Sequence, residues 1–169
     1  MMPRMKSRVL LVLAALVLFA PSVRADEPKE WPDFAKEKVG GVANGAAEAD
    51  VVKAFGAAKQ KTKVIQEGAT GQWVSDWTFA DGVSTTMVAD KAKGPFQVRV
   101  ISVAAPSKLK TSQSIGLGST LADIKKAYGK FLSDAGDSNW LVGTPYAGMS
   151  FHVDKDSKVA TITFGVMAE

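Results

Sequence analysis

Ser150, His152 and Asp154 follow one another at two-residue spacing in Met149-Ser150-Phe151-His152-Val153-Asp154, and His152 is the one histidine of the chain. A serine, an imidazole and a carboxylate are the parts of a hydrolytic triad, in which the base reaches the nucleophile and the acid orients the base. Alternation with Met149, Phe151 and Val153 makes this segment a strand whose three polar residues share a face. Side chains two apart on a strand are ~7 Å apart at the backbone. One strand therefore does not assemble the relay, and a polar stripe facing solvent is expected. Asp154 and Asp156 offer two of the oxygens a calcium ion needs, but calcium loops use more ligands, usually with a glycine and a bidentate glutamate. Asp154-Lys155-Asp156-Ser157 reads instead as a solvated hairpin turn. Gly116-Leu117-Gly118 precedes a helix without the further glycine, the Lys-Thr/Ser element or the strand-helix-strand context of a phosphate loop. With no cysteine in the chain, thiolate catalysis and cysteine metal sites are excluded. No catalytic, cofactor-binding or metal-binding set emerges; no enzyme and no cofactor are expected.

The remaining residues with chemistry to offer suit recognition. Aromatic side chains anchor interfaces, and Trp73, Trp77, Trp140 and Tyr146 are candidates. Trp77 and Trp140 recur at matched positions in the two halves of the chain and are expected in the core. Trp73 and Tyr146 have no counterpart, so exposure is expected. Together with Asp81, at a hairpin tip, and His152, they form the candidate protein-binding surface. Lys59, Lys61 and Lys63 alternate at the entry to a strand, the pattern that blunts an exposed sheet edge.

The elements that position these residues come in two sets. Gly45-Ala46-Ala47-Glu48-Ala49-Asp50-Val51-Val52-Lys53-Ala54-Phe55-Gly56 returns as Gly118-Ser119-Thr120-Leu121-Ala122-Asp123-Ile124-Lys125-Lys126-Ala127-Tyr128-Gly129, offset by 73, with six of twelve positions identical. Repetition at a fixed offset marks a duplicated structural unit. Unit one spans 39–105, with a helix over 46–55 stopped by Gly56. Strands are expected over 62–66, 72–79, 83–89 and 96–103, with Asp81-Gly82 as a hairpin turn. A linker is expected over 106–113, where Pro106 breaks the pattern. Unit two spans 114–167. Thr120 and Asp123 form a capping box for its helix, Gly129 stops it, and strands are expected over 139–142, 147–153 and 159–166. Trp140 matches Trp77, Ala147 to Val153 matches Val83 to Ala89, and Val159 to Phe164 matches Val98 to Val103. The fold class is α+β: two helix-plus-antiparallel-sheet units, sheets joined, helices on one face.

Residues 1–25 read as a secretory signal. Arg4, Lys6 and Arg8 precede the apolar run Val9 to Ala20, and Val23-Arg24-Ala25 sets the cut after Ala25. Twelve apolar residues are too few for the ~20 that span a bilayer. Residues 26–38 read as a lead-in, with Trp31 packing onto the body. Of 21 basic residues four (Arg4, Lys6, Arg8, Arg24) lie in the signal, leaving 17 against 17 acidic ones. The remaining chain is neutral, so it has no electrostatic footprint for nucleic acid. Without a cysteine to acylate, no membrane anchor is expected once the signal is cut.

Ile115-Gly116-Leu117-Gly118-Ser119-Thr120, then Ile124, then Tyr128-Gly129, followed by strands ending in Phe151-His152-Val153-Asp154 and Val159-Ala160-Thr161-Ile162, resembles the repeat unit of the beta-lactamase inhibitory protein-like (BLIP-like) fold. Used singly, the unit resembles small outer-membrane assembly lipoproteins of the BamE/SmpA type. The resemblance implies two units whose sheets join into one surface for protein binding. The inhibitors carry a disulfide in each unit and enter their target with an aspartate followed by an aromatic residue. Here cysteine is absent and Gly82 follows Asp81, so inhibition is not carried over. The expectation is an exported, soluble, non-enzymatic module that binds another protein in the periplasm or outside a bacterial cell. An envelope structural or chaperone-like assembly factor is the alternative, and a small hydrolase the third reading.

Overall fold

The computed structural model describes Phe34 and residues 36–167. The expected signal over 1–25 and Trp31 lie outside the described residues. Two short helices, α1 (Glu48–Phe55) and α2 (Leu121–Tyr128), pack on one antiparallel sheet, so the class is α+β. The sheet comprises β1 (Gln60–Lys61), β2 (Ile65–Gln66), β3 (Trp73–Thr78), β4 (Val83–Ala89), β5 (Gln97–Val103), β6 (Leu132–Gly136), β7 (Asn139–Thr144), β8 (Ala147–Val153) and β9 (Val159–Gly165). Their order across the sheet is β1-β3-β4-β5-β9-β8-β7-β6, with β2 also on β3. The first-half strands meet the second-half strands through β5 and β9, where Ile101 pairs with Phe164, Ser102 with Thr163 and Val103 with Ile162.

Strand alternation divides the sheet into two faces. Trp77, Val83, Thr85, Met87, Ile101, Val103, Val142, Met149, Phe151, Ile162 and Phe164 are buried on one face, as the alternation predicts. Val51 of α1 and Ile124 and Tyr128 of α2 join them in a single core. The helices sit on aromatic contacts: Phe55 meets Phe79 edge-on at 5.6 Å and Tyr128 meets Phe151 at 5.7 Å between ring centres. The intervening residues of the strands look away from both helices. An antiparallel sheet tolerates this, because one packed face is enough to hold it.

Several elements depart from the sequence expectation, each for a local reason. The helix expected from Ala46 begins at Glu48, since the Ala46 carbonyl accepts from Val98 N–H and Ala47 bridges to Gln97, which commits that backbone to the sheet. The strand expected over 62–66 splits into β1 and β2. Thr62 Oγ1 accepts from Asp76 N–H at 2.8 Å, so a side chain takes a ladder position and the chain leaves the sheet. Gly129 does not stop α2. It stays right-handed, at φ −49° and ψ −38°, and continues into a 3-10 turn over Gly129–Phe131. Strand β6 was not expected at all: after Leu132 its residues are small or polar, and it is held by pairing to β7 and by a turn with Asp137 and Ser138 at positive φ. The segment read as a linker, 106–113, is closely packed: Ser107 and Thr111 are buried, and Thr111 bridges to Val39.

Other local expectations match. Asp81 and Gly82 both take positive φ in the β3–β4 turn, and a Cβ at Gly82 would collide with the Ala104 and Ala105 carbonyls. Gly56 ends α1 at φ 82°. Thr120 and Asp123 form both arms of a capping box. Lys61 lies on the β1 edge, where its ammonium sits 3.4 Å over the Trp77 ring and bonds Glu48.

Candidate functional site

Cross-strand pairing builds a continuous row on the face the helices leave bare. Thr78 pairs with Ser84, Ser84 with Ser102, Ser102 with Thr163, Thr163 with Ser150, Ser150 with Leu141, and Leu141 with Ser133. Six hydroxyls and one leucine thus line up across seven strands. The alternation that buries Val83, Val103, Phe164 and Met149 is what turns their neighbours Ser84, Ser102, Thr163 and Ser150 to this face. Along the strands the row is flanked by Asp76 and Thr86 in the first half and by His152, Asn139 and Thr161 in the second. Thr86 Oγ1 donates to Asp76 Oδ1 at 2.7 Å, and His152 Nδ1 lies 3.3 Å from Asn139 Oδ1. Six strand intervals of ~4.8 Å and about five residues of ~3.4 Å make this face roughly 29 Å by 17 Å. A standard interface takes ~800 Å² of accessible surface from each partner, which a corrugated face of this size approaches.

The sequence candidates do not converge on one site. His152 stands on the bare face. Tyr146 projects from the β7–β8 turn and is 65% exposed. Trp73 is half-buried at the start of β3, on the helix side with Trp77. The β7–β8 turn that carries Tyr146 is four to five strand intervals from the β3 of Trp73, roughly 19–24 Å at the usual spacing. Asp81 lies at the β3–β4 turn, the opposite end of β3 from Trp73. Ser150, His152 and Asp154 share a face without forming a relay. Asp154 Oδ1 accepts from Asp156 N–H and Lys158 N–H, both at 2.9 Å, so the carboxylate is engaged by its own turn. Among the described residues no three acidic or imidazole groups are placed to hold a metal ion, and no helix is long and apolar enough to cross a membrane.

The hydroxyl row is the feature the sequence reading missed. Its signal was present as polar residues alternating with buried ones on β4, β5, β8 and β9. What the sequence lacks is the register that joins six separate hydroxyls into one line. No protein family matches this chain, and neither a curated protein nor a solved structure is significantly similar to it.

Proposed function

We propose that this chain is an exported protein-binding module of two copies of one helix-plus-sheet unit, which engages another polypeptide across the bare face of the joined sheet. The observation that carries this reading is the wide sheet face the helices leave uncovered, whose central row is six hydroxyls and Leu141, with Val74, Val88 and Val100 beside that row on the first-half strands. Such a face suits a reversible, hydrogen-bonded interface, since non-obligate interfaces are about as polar as ordinary surface.

The duplication is supported by contacts that repeat at constant offsets. Gly45 N–H donates to Val98 O at 2.8 Å, and Gly118 N–H to Val159 O at 2.8 Å. Val98 N–H donates to Ala46 O, and Val159 N–H to Ser119 O, both at 2.9 Å. Glu48 N–H donates to Phe96 O, and Leu121 N–H to Ser157 O. The helix offset of 73 and the strand offset of 61 hold throughout. Bulges fall between Thr86 and Met87 and between His152 and Val153. The same registers equate Trp77 with Trp140 and Thr85 with Phe151. They move the sequence match of Val83 with Ala147 by two residues, so that Val83 corresponds to Met149. At the junction, Ile101 pairs with Phe164 and its equivalent Ile162 with Val103, the reciprocal pattern of a two-fold contact. The BLIP-like resemblance proposes the same layout.

The test inserts charge at the centre of the face. Ser102→Glu with Thr163→Glu is expected to abolish a stoichiometric complex isolated from the native envelope or medium, while Lys53→Glu on α1 leaves it intact. Recovery of the complex with both face charges in place contradicts the reading.

A further inference from the structure

A concave feature lies on the helix side, apart from the bare face. An open pocket of about 500 Å³ is lined by the end of α1 (Ala54, Phe55), the β3–β4 turn (Ala80, Asp81, Val83) and the segment from Pro106 to Leu109. Its size is in the ordinary range for small-molecule sites, and so is its make-up of an apolar body with few polar groups. Phe55 and Leu109 meet over Gly40, where even a Cβ would touch both. The polar groups are three: Asp81, Ser107 and Lys108. Ser107 is 7% exposed, and its Oγ accepts from Leu109 N–H at 3.3 Å. That leaves the hydroxyl proton to donate.

The walls are tied to one another through the backbone. Ala104 N–H donates to Gly82 O at 2.8 Å, and Ser107 N–H donates to Ala104 O at 3.0 Å. The turn bearing Asp81 and the segment bearing Ser107 and Lys108 are thereby held as one preformed rim, which lowers the ordering cost of binding. The segment lining the pocket follows β5 and has no counterpart after β9 within the described residues, so this feature belongs to one half alone. Repeated elements build the scaffold; the unrepeated segment adds chemistry to it.

We propose that this pocket binds a small zwitterion with an apolar body, an apolar α-amino acid or the short peptide that presents the same groups. The ligand's ammonium faces the Asp81 carboxylate. Its carboxylate faces the Lys108 ammonium and the Ser107 hydroxyl, and its side chain rests on Phe55, Val83 and Leu109. One anionic and one cationic group on a single rim match a ligand carrying both charges, and they disfavour a ligand carrying either charge alone.

The experiment is titration calorimetry on the purified chain with L-leucine, L-phenylalanine, the dipeptide Leu-Leu and the doubly blocked N-acetyl-leucinamide. Binding of a zwitterionic probe is expected, with the blocked compound weaker by about tenfold or more, the scale of a lost charged hydrogen bond. Asp81→Asn and Lys108→Gln each weaken the zwitterion by a similar factor and should leave the melting temperature unchanged, both side chains being at the surface. Preference for the dipeptide over the free amino acids supports the proposal and names a peptide as the source. Equal affinity for the blocked compound, indifference to both substitutions, or no heat from any zwitterion overturns it. The bare face has its own variants, so failure here does not touch the sheet-face reading.

Discussion

Thr85 carries the one buried side-chain polar atom without a hydrogen-bond partner among the described residues. It sits in the core row between Trp77 and Ile101, where the second half places Phe151. A hydroxyl desolvated without compensation costs about 1 kcal/mol or more, and valine has nearly its shape. Thr85→Val is therefore expected to raise stability by about 1 kcal/mol in urea denaturation; unchanged or lower stability would show that the hydroxyl is satisfied. Tyr128 is the opposite case. Its phenol donates to Thr111 Oγ1 at 2.8 Å. Burial pushes its pKa well above the ordinary 10.0, an effect the Thr111 hydrogen bond partly offsets. The folded chain thus keeps a proton that the unfolded chain releases, so this residue's contribution is intact below pH 10 and falls as pH rises beyond it. Tyr128→Phe should cost about 1 kcal/mol at neutral pH, and the difference from the parent should narrow above pH 10.0. The face to which Tyr128 belongs was legible from its spacing with Leu121 and Ile124. Its bond to Thr111 was not, because Thr111 lay in a stretch whose Pro106, serines and lysines signal only a break.

At the scale of elements, the two helices differ at their first residue in a way that invites a transplant. Thr120 caps α2: its Oγ1 accepts from Asp123 N–H, and Asp123 Oδ2 accepts from Thr120 N–H at 2.8 Å. Ala47 occupies the same place in α1 with the same extended backbone, φ −69° and ψ 156° against −82° and 160°, but makes no side-chain bond. Asp50 already stands where Asp123 stands. Ala47→Thr is expected to complete the box and stabilise the fold by about 1 kcal/mol, and Thr120→Ala to destabilise it by about as much. Thermal denaturation of both variants checks the pair, and a loss from Ala47→Thr would contradict it. The helices, the hairpin turns and the strands with strict alternation could be read from the sequence, because capping, glycine and period two act locally. Strand β6 could not. Ser133, Asp134, Ala135 and Gly136 have no apolar face, and only pairing to β7 makes them a strand. The break between β1 and β2 likewise depends on Thr62 reaching Asp76, fourteen residues away.

For the whole molecule, the joined sheet explains how a chain without cysteine can hold a broad bare face. One core under both helices supplies the packing, and the β5–β9 pairing makes the two halves of the sheet a single platform. The repeat visible in sequence announced two helices in like settings. It could not announce which strands would meet, since strand order depends on pairing between β5 and β9, whose partners lie far apart in the chain, and so the hydroxyl row stayed hidden. Cross-linking from defined positions tests the central claim most directly. A photo-reactive residue is placed at Ser102 or Thr163 on the bare face, or at Val52 or Lys126 on the helices, in the cell that makes the protein. The account predicts a discrete adduct of one mass from both sheet positions and none from the helix positions. Adducts confined to Val52 and Lys126, with Ser102 and Thr163 silent, would contradict it.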